Sequence, residues 1–403
     1  MLVSMPLPVL QPAQGETIMK PTLRKIASQP SWLIRNRDVE LAVTQLGGHM
    51  APVTFYRAGK SPVQPYYINP WHGEALKIDE PVLRPLRGDF FCMPFGANAQ
   101  PSRGVKHHVH GEPAGQKWTL VSSEAAGDVS TLTLSMRTKA PAGKITKRLS
   151  LVNGQNIVYV QHTLEGFSER MPIGHHATLA MPQREESVHV ATSPIRFGRT
   201  NPTLTEDSTA GQYQSVAPDR RFRSPSQVQL LWRRPLAGNF TAFPTRKGFG
   251  DLVALFNKPM AGRPAWTTAT YEDEGFLWFS LKDAALLPTT LIWVANCGRH
   301  DPPWNGRNQC LGLEDVCGFF AEGVPESLRA NILTKDGIAT AIKLSAKCPT
   351  VVNYIEGVVK VPRGFTKVSS AEFESGRVTF LSTTGKKAAA VVNHSFLWSG
   401  LIQ

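Results

Sequence analysis

The sequence predicts an all-β protein of antiparallel sheets, arranged as a sandwich or a barrel, and three observations predict it. Apolar and polar residues alternate along much of the 403-residue chain, as where Leu132, Leu134 and Met136 are set between Thr131, Thr133 and Ser135. Turn signals such as Ala58-Gly59, Gly127-Asp128, Asn153-Gly154 and Thr384-Gly385 separate these runs closely enough for hairpins. Charged residues are only 19% of the chain, and 33 glycines with 31 prolines suit many short elements joined by turns.

In chain order, residues 1–30 read as a flexible arm. Pro6, Pro8 and Pro12 interrupt its apolar stretch, and no basic residue precedes that stretch, so the form of a secretory signal is missing. Strands are then marked by Val39, Leu41 and Val43, by Leu132 to Met136, by Ile145, Leu149 and Leu151, and by Leu277, Phe279 and Leu281. Residues 200–228, rich in Ser, Thr, Pro and Arg, read as a long surface excursion that carries none of the core. Pro325, placed at a helix start, predicts one short helix over Glu326–Leu333. Strands at Thr350–Val361, Arg377–Ser382 and Ala388–Asn393 either close the main sheet or form an appendage. The expected division is an arm (1–30), a main unit (31–335) and a C-terminal β extension (336–403).

Forty-four Lys and Arg against 31 Asp and Glu leave a net charge of +13, which raises nucleic acid or an anionic substrate as partners. The densest basic groups, Arg220, Arg221 and Arg223, and Lys386 with Lys387, carry no interleaved stacking aromatics. A dispersed, solvated surface and no nucleic-acid partner are expected. With no stretch of 18 consecutive apolar residues, no membrane partner is expected either, and the cytoplasm is the default location. The 5 cysteines are odd in number and contain no Cys-x-x-Cys, which argues for buried thiols in a reducing compartment and not for disulfides or a thiolate zinc site.

The chemistry-bearing residues with the most uneven distribution are the 11 histidines: His107, His108 and His110 fall together, and His175 adjoins His176. On a strand His108 and His110 share a face, while only one of His175 and His176 turns toward a given pocket. The run from Gly104 to Glu112 superficially resembles the cupin pattern of His-x-His followed by Glu. Glu112 is only two residues beyond His110, where a cupin glutamate lies several further on, so the expectation is no metal.

Four segments in order resemble the galactose mutarotase-like (aldose 1-epimerase) superfamily. Leu46-Gly-Gly-His-Met-Ala-Pro-Val is similar to its Gly-Gly-x-Ile segment, and Val109-His110-Gly111, with Trp118 beyond, to its His-Gly motif. Met171-Pro-Ile-Gly-His-His-Ala-Thr-Leu is similar to the segment that carries the second histidine. Cys310-Leu-Gly-Leu-Glu314-Asp, after Leu286-Leu-Pro-Thr-Thr-Leu-Ile-Trp293, resembles its Leu-Pro, Trp and Gly-Leu-Glu block. The gaps from His110 to His176 and from His176 to Glu314, 66 and 138 residues, are also similar.

The resemblance implies an antiparallel β-supersandwich with a sugar cleft, in which Glu314 is the base, His176 the acid, and His110 hydrogen-bonds the ring oxygen. It implies substrate contacts from His175, in the place of the usual Asn, and looser counterparts in Arg87, Asn98 and Asp251; Thr178 replaces an aromatic. Trp71, Trp266 and Trp304 are candidate platforms for a sugar ring, Trp304 first because the loop Pro302–Arg307 directly precedes the Glu314 strand. Arg307 is placed to pair with a carboxylate or phosphate. A nearby carboxylate would keep His176 protonated and burial would do the opposite. The implied activity is aldose 1-epimerase-like interconversion of the anomers of a sugar, neutral or anionic, without a cofactor. The alternatives are a carbohydrate-binding protein of the same fold without catalysis, and a cupin-like metal enzyme.

Overall fold

In a computed structural model that describes residues 21–402, two large antiparallel sheets pack face to face. The smaller has seven strands in the order Arg221–Phe222, Ile195–Thr200, Phe249–Asn257, Thr289–Asn296, Gln309–Cys317, Ile173–Ala180 and Phe91–Cys92. The larger has nine, running from Ala242–Phe243 at one edge to Thr119–Ala126 at the other. Side chains alternate across each strand, so one set from each sheet fills the space between them: Leu132, Leu134, Leu149, Val158 and Val160 meet Ile173, Leu179, Ile292, Val294, Leu311 and Leu313, all buried.

Part of the outer face of each large sheet is apolar and covered. On the seven-stranded sheet, Leu252, Ala254, Phe256, Leu291 and Val316 pack under loops carrying Trp71, Val82, Leu86, Phe95 and Trp304. On the nine-stranded sheet, Tyr159, Leu277, Phe279, Ile355 and Val359 pack under Phe365, Val378, Phe380, Val392 and Phe396. This second cover is a three-stranded sheet of Val368–Glu374, Arg377–Ser382 and Lys387–Val391.

Both readings of the C-terminal strands therefore apply at once. Thr350–Lys360 lies within the nine-stranded sheet, between Phe276–Lys282 and Ile157–Glu165, while the strands after it form the cover. A boundary at 335/336 thus divides the supersandwich itself, because a central strand follows it. At the other end, Arg24–Ile26 pairs with Gln29–Arg35, so the expected arm contains sheet over its last residues; residues 1–20 lie outside the described range.

Three further expectations are corrected. Residues 200–228 contribute to the core, since Val216, Phe222 and Val228 are buried in the main cluster. The helix expected over Glu326–Leu333 is two short ones, Val324–Leu328 and Ile332–Lys335, because Asn331 breaks the run and caps the second through the backbone N–H groups of Leu333 and Thr334. Four cysteines are buried, but Cys348 is exposed.

Candidate active site

His176 and Glu314 are 138 residues apart in the chain, yet strand pairing sets them opposite each other. In the ladder between Ile173–Ala180 and Gln309–Cys317, His176 pairs with Glu314 and His175 with Asp315. Directly opposed residues share a face and stand close, and here His176 Nε2 is 3.3 Å from Glu314 Oε1. Alternation then sends the neighbours the other way. His176, Glu314 and Phe90 face the outer cleft; His175, Asp315 and Asp89 face the space between the sheets. The cleft is a cavity of about 620 Å³ lined by His110, His176, Glu314, Trp293, Arg299 and Trp304, among others.

The third residue comes from a loop. His110 has φ of 57° and its ring centre is 5.0 Å from that of His176, edge to face. Gly111 follows with φ of 76°, and a Cβ there would collide with the Met93 carbonyl, so this close crossing requires glycine. The Gly96 N–H points at His110 Nδ1 at 3.5 Å, which leaves the Nε2 side of the ring for the cleft. Behind the pair, Phe90 is sandwiched between His49 (centres 4.0 Å apart) and His176 (4.5 Å). His49 is itself fixed, with Nε2 donating to the Ala114 carbonyl and Nδ1 accepting from Arg87 N–H. Thr178, where the resemblance has an aromatic, places its hydroxyl 3.1 Å from His176 Nδ1 and so orients that ring.

Burial dominates the electrostatics. It pushes the Glu314 carboxyl up to about 8, and the negative charge of Asp315 adds to the rise. Burial also pushes Asp315 upward, but the Lys282 ammonium at 2.6 Å and the Thr290 and Ser280 hydroxyls, both at 2.7 Å, outweigh it and keep that carboxyl ionised. His176 is pushed well below its ordinary value of 6.5 by burial, then by the neighbouring His110 and His49 rings. Loss of bulk water lowers His110 to about 4. The proton therefore rests on Glu314 at neutral pH and His176 is a neutral imidazole, the reverse of an ionised Glu314 beside a protonated His176. Glu314 Oε2 has no hydrogen-bond partner among the described residues.

Of the expected substrate contacts, Trp304 lines the cleft, packed edge-on against Trp71 at 5.1 Å. Five others are used elsewhere. His175 lies on the opposite face, its Nδ1 2.9 Å from Asp89 Oδ2. Asp251, also of the inward phase, accepts from Ser215 N–H (2.7 Å), Ser215 Oγ (2.5 Å) and Val216 N–H (2.9 Å). Arg87 is buried and donates to the Pro85 and Ala27 carbonyls, both at 3.0 Å. Asn98 donates to the carbonyls of Pro94, Gly96 and His108, which ties down the loop that carries His110. Arg307 forms a two-pronged surface pair with Glu74. Trp71 is enclosed in the loop cluster and Trp266 packs toward Phe380, so neither is a platform. Glu112 accepts from the Lys139 and Ala140 N–H groups, away from the cupin-like arrangement with His108 and His110.

Sequence reasoning missed Phe90, Trp293, Leu252 and Arg299, all in the cleft wall. Trp293 ends the segment Leu286–Trp293 already singled out, and its strand phase relative to Glu314 was the available signal; Phe90 lies three residues beyond Arg87 with no signal of its own. Arg299 had no such signal. Its guanidinium sits 5.0 Å over Trp304 and is paired through both arms with Glu206, which comes from the supposed surface excursion.

The antiparallel supersandwich is a recognisable fold. The fold is that of the galactose mutarotase-like (aldose 1-epimerase) proteins. No family model matches the chain, and no curated protein matches it. Among solved structures, a galactose mutarotase-like protein of Clostridium acetobutylicum superposes with a TM-score of 0.57 at 11% identity, over 85% of this chain and 99% of that one. A galactose mutarotase related enzyme of Lactobacillus acidophilus gives 0.52 at 12% identity, over 81% and 97%. At these identities the likeness is one of fold. No described helix is long and apolar enough to cross a membrane.

Proposed function

We propose that the cleft binds a reducing sugar and interconverts its anomers by acid–base ring opening. The observation that carries this reading is the opposition of His176 and Glu314 at 3.3 Å, with the His110 ring 5.0 Å from that of His176, at one wall of a cavity large enough for a sugar. Ring opening needs one group to take the proton of the anomeric hydroxyl and another to protonate the ring oxygen as the bond from the anomeric carbon to that oxygen breaks. The resting pair holds one proton, so it supplies both at once: neutral His176 accepts from the anomeric hydroxyl and protonated Glu314 donates to the ring oxygen. The electrons of the broken bond end on the ring oxygen, and the anomeric carbon becomes a carbonyl. After rotation about the adjoining carbon–carbon bond the two groups reverse roles, and no cofactor is consumed. His110 Nε2 is the hydrogen-bonding group for the sugar beside them.

Arg307 and Arg299 are both engaged by carboxylates, which favours a neutral sugar over an anionic one. The test is relaxation of a freshly dissolved anomer, followed by polarimetry with wild type, Glu314→Gln and His176→Asn. Acceleration by wild type that both substitutions reduce at least a hundredfold is expected. Binding with no acceleration would leave the chain a carbohydrate-binding protein.

A further inference from the structure

Away from the reacting pair the walls of the cleft combine an apolar patch with the charged Lys77, Asp79, Glu80 and Asp301 of the covering loops. On the seven-stranded sheet the order runs from the His176 strand to the Glu314 strand, then to the strand of Trp293 and the strand of Leu252. At about 4.8 Å per strand, Leu252 lies on the order of 10 Å across the sheet from Glu314. Val82 and Leu86 of the covering loop belong to the same apolar cluster as Leu252, and Ile78 and Leu83 line the cleft beside them. The four polar side chains expected to contact the sugar, His175, Arg87, Asn98 and Asp251, are committed to other protein groups, and Arg299 spends two of its donors on Glu206.

A hydroxyl pressed against Leu83, Leu86 and Leu252 would lose its bonds to water without replacement. An apolar group there would instead be stabilised in proportion to the area it buries. The cavity of about 620 Å³ also lies in the range that encloses a ligand of drug size, more than a single ring requires. Resting on the anomer-exchange reading, we infer that the substrate is a reducing sugar that carries an apolar substituent, acyl, alkyl or aryl, on a carbon remote from the anomeric centre. Its free anomeric end meets His176, Glu314 and His110, and its substituent lies against the wall formed by Leu83, Leu86 and Leu252.

The experiment uses the full chain and three probes: glucose, 6-O-hexanoylglucose and 4-O-benzylglucose. Affinity is read by calorimetry and anomer relaxation by polarimetry. At least one substituted sugar is expected to bind ten times or more tighter than glucose. Leu83→Asp and Leu83→Trp, one making the half-buried wall polar and the other filling it, should each remove that advantage while leaving the affinity for glucose within about twofold; thermal melts establish that both variants fold. Equal affinity for all three sugars, or an advantage that survives both substitutions, overturns the inference even if anomers relax faster. Tight, wall-dependent binding without faster relaxation supports the inference about the ligand and sinks the catalytic reading instead.

Discussion

Replacing Glu314 by Gln tests where the shared proton sits, through stability and not through activity. The glutamine amide mimics the protonated carboxyl in shape and neutrality, so a cleft that holds Glu314 protonated should accept it with little rearrangement. Burial and Asp315 raise this carboxyl from 4.5 to about 8 in the folded protein. Between those pH values the folded state keeps a proton that the unfolded state has lost. Folding then binds protons, and stability falls as pH rises from about 4.5 to about 8. The full effect of such a difference is about 5 kcal/mol, and water at the cleft side of the carboxylate reduces it to roughly half, on the order of 2–3 kcal/mol. Glu314→Gln cannot titrate, so its stability relative to wild type should climb by that amount between pH 5 and pH 8.5 and level off above. Urea unfolding of both proteins at five or six pH values measures it, because titrations elsewhere cancel in the difference. A difference that stays constant over this range would show that Glu314 is already ionised at neutral pH, and the proton placement would be wrong.

Three other outcomes are expected. Anomer exchange should fall above about pH 8, as Glu314 loses its proton, and again in acid as His176 and His110 gain theirs, the latter near 4; rates at constant ionic strength give the profile, and a rate that rises steadily through pH 8 would contradict it. Lys282→Met leaves Asp315 as a buried, uncompensated charge and should cost about 3–5 kcal/mol in urea unfolding, most of it restored by Asp315→Asn in the same chain. Gly111→Ala introduces a side chain at φ of 76° and against the Met93 carbonyl, so it should destabilise by at least about 1–2 kcal/mol and weaken sugar binding by displacing His110; an unchanged melt and affinity would remove the loop from the site.

The sequence made the architecture legible because alternation is written locally. Leu132, Leu134 and Met136 declare a strand and its inward face within six residues, and all three are buried. His176 and Glu314 were legible for a different reason: the short segments around them resemble a known family. What stayed hidden was strand phase wherever both faces are covered. Leu252, Ala254 and Phe256 face the loop cluster while Val253 and Leu255 face the other sheet, so every position from 252 to 256 is apolar, and nothing local shows that Asp251 points inward. His175 and Arg87 mislead in the same way, as polar residues near the site whose bonds go to Asp89 and to backbone carbonyls. The Glu206–Arg299 pair joins positions 93 residues apart and depends on how a long loop folds back, which no local pattern encodes.

The most direct test of the central claim is the exchange rate between the anomers of 6-O-hexanoylglucose at pH 7, measured by saturation transfer in NMR with wild type, Glu314→Gln and His176→Asn. Exchange that wild type accelerates in proportion to its concentration, and that each substitution lowers at least a hundredfold while the folded melt is kept, is the predicted result. Equal acceleration by all three proteins, or by none of them when the sugar is shown to bind, would contradict the assignment of His176 and Glu314 as an acid–base pair.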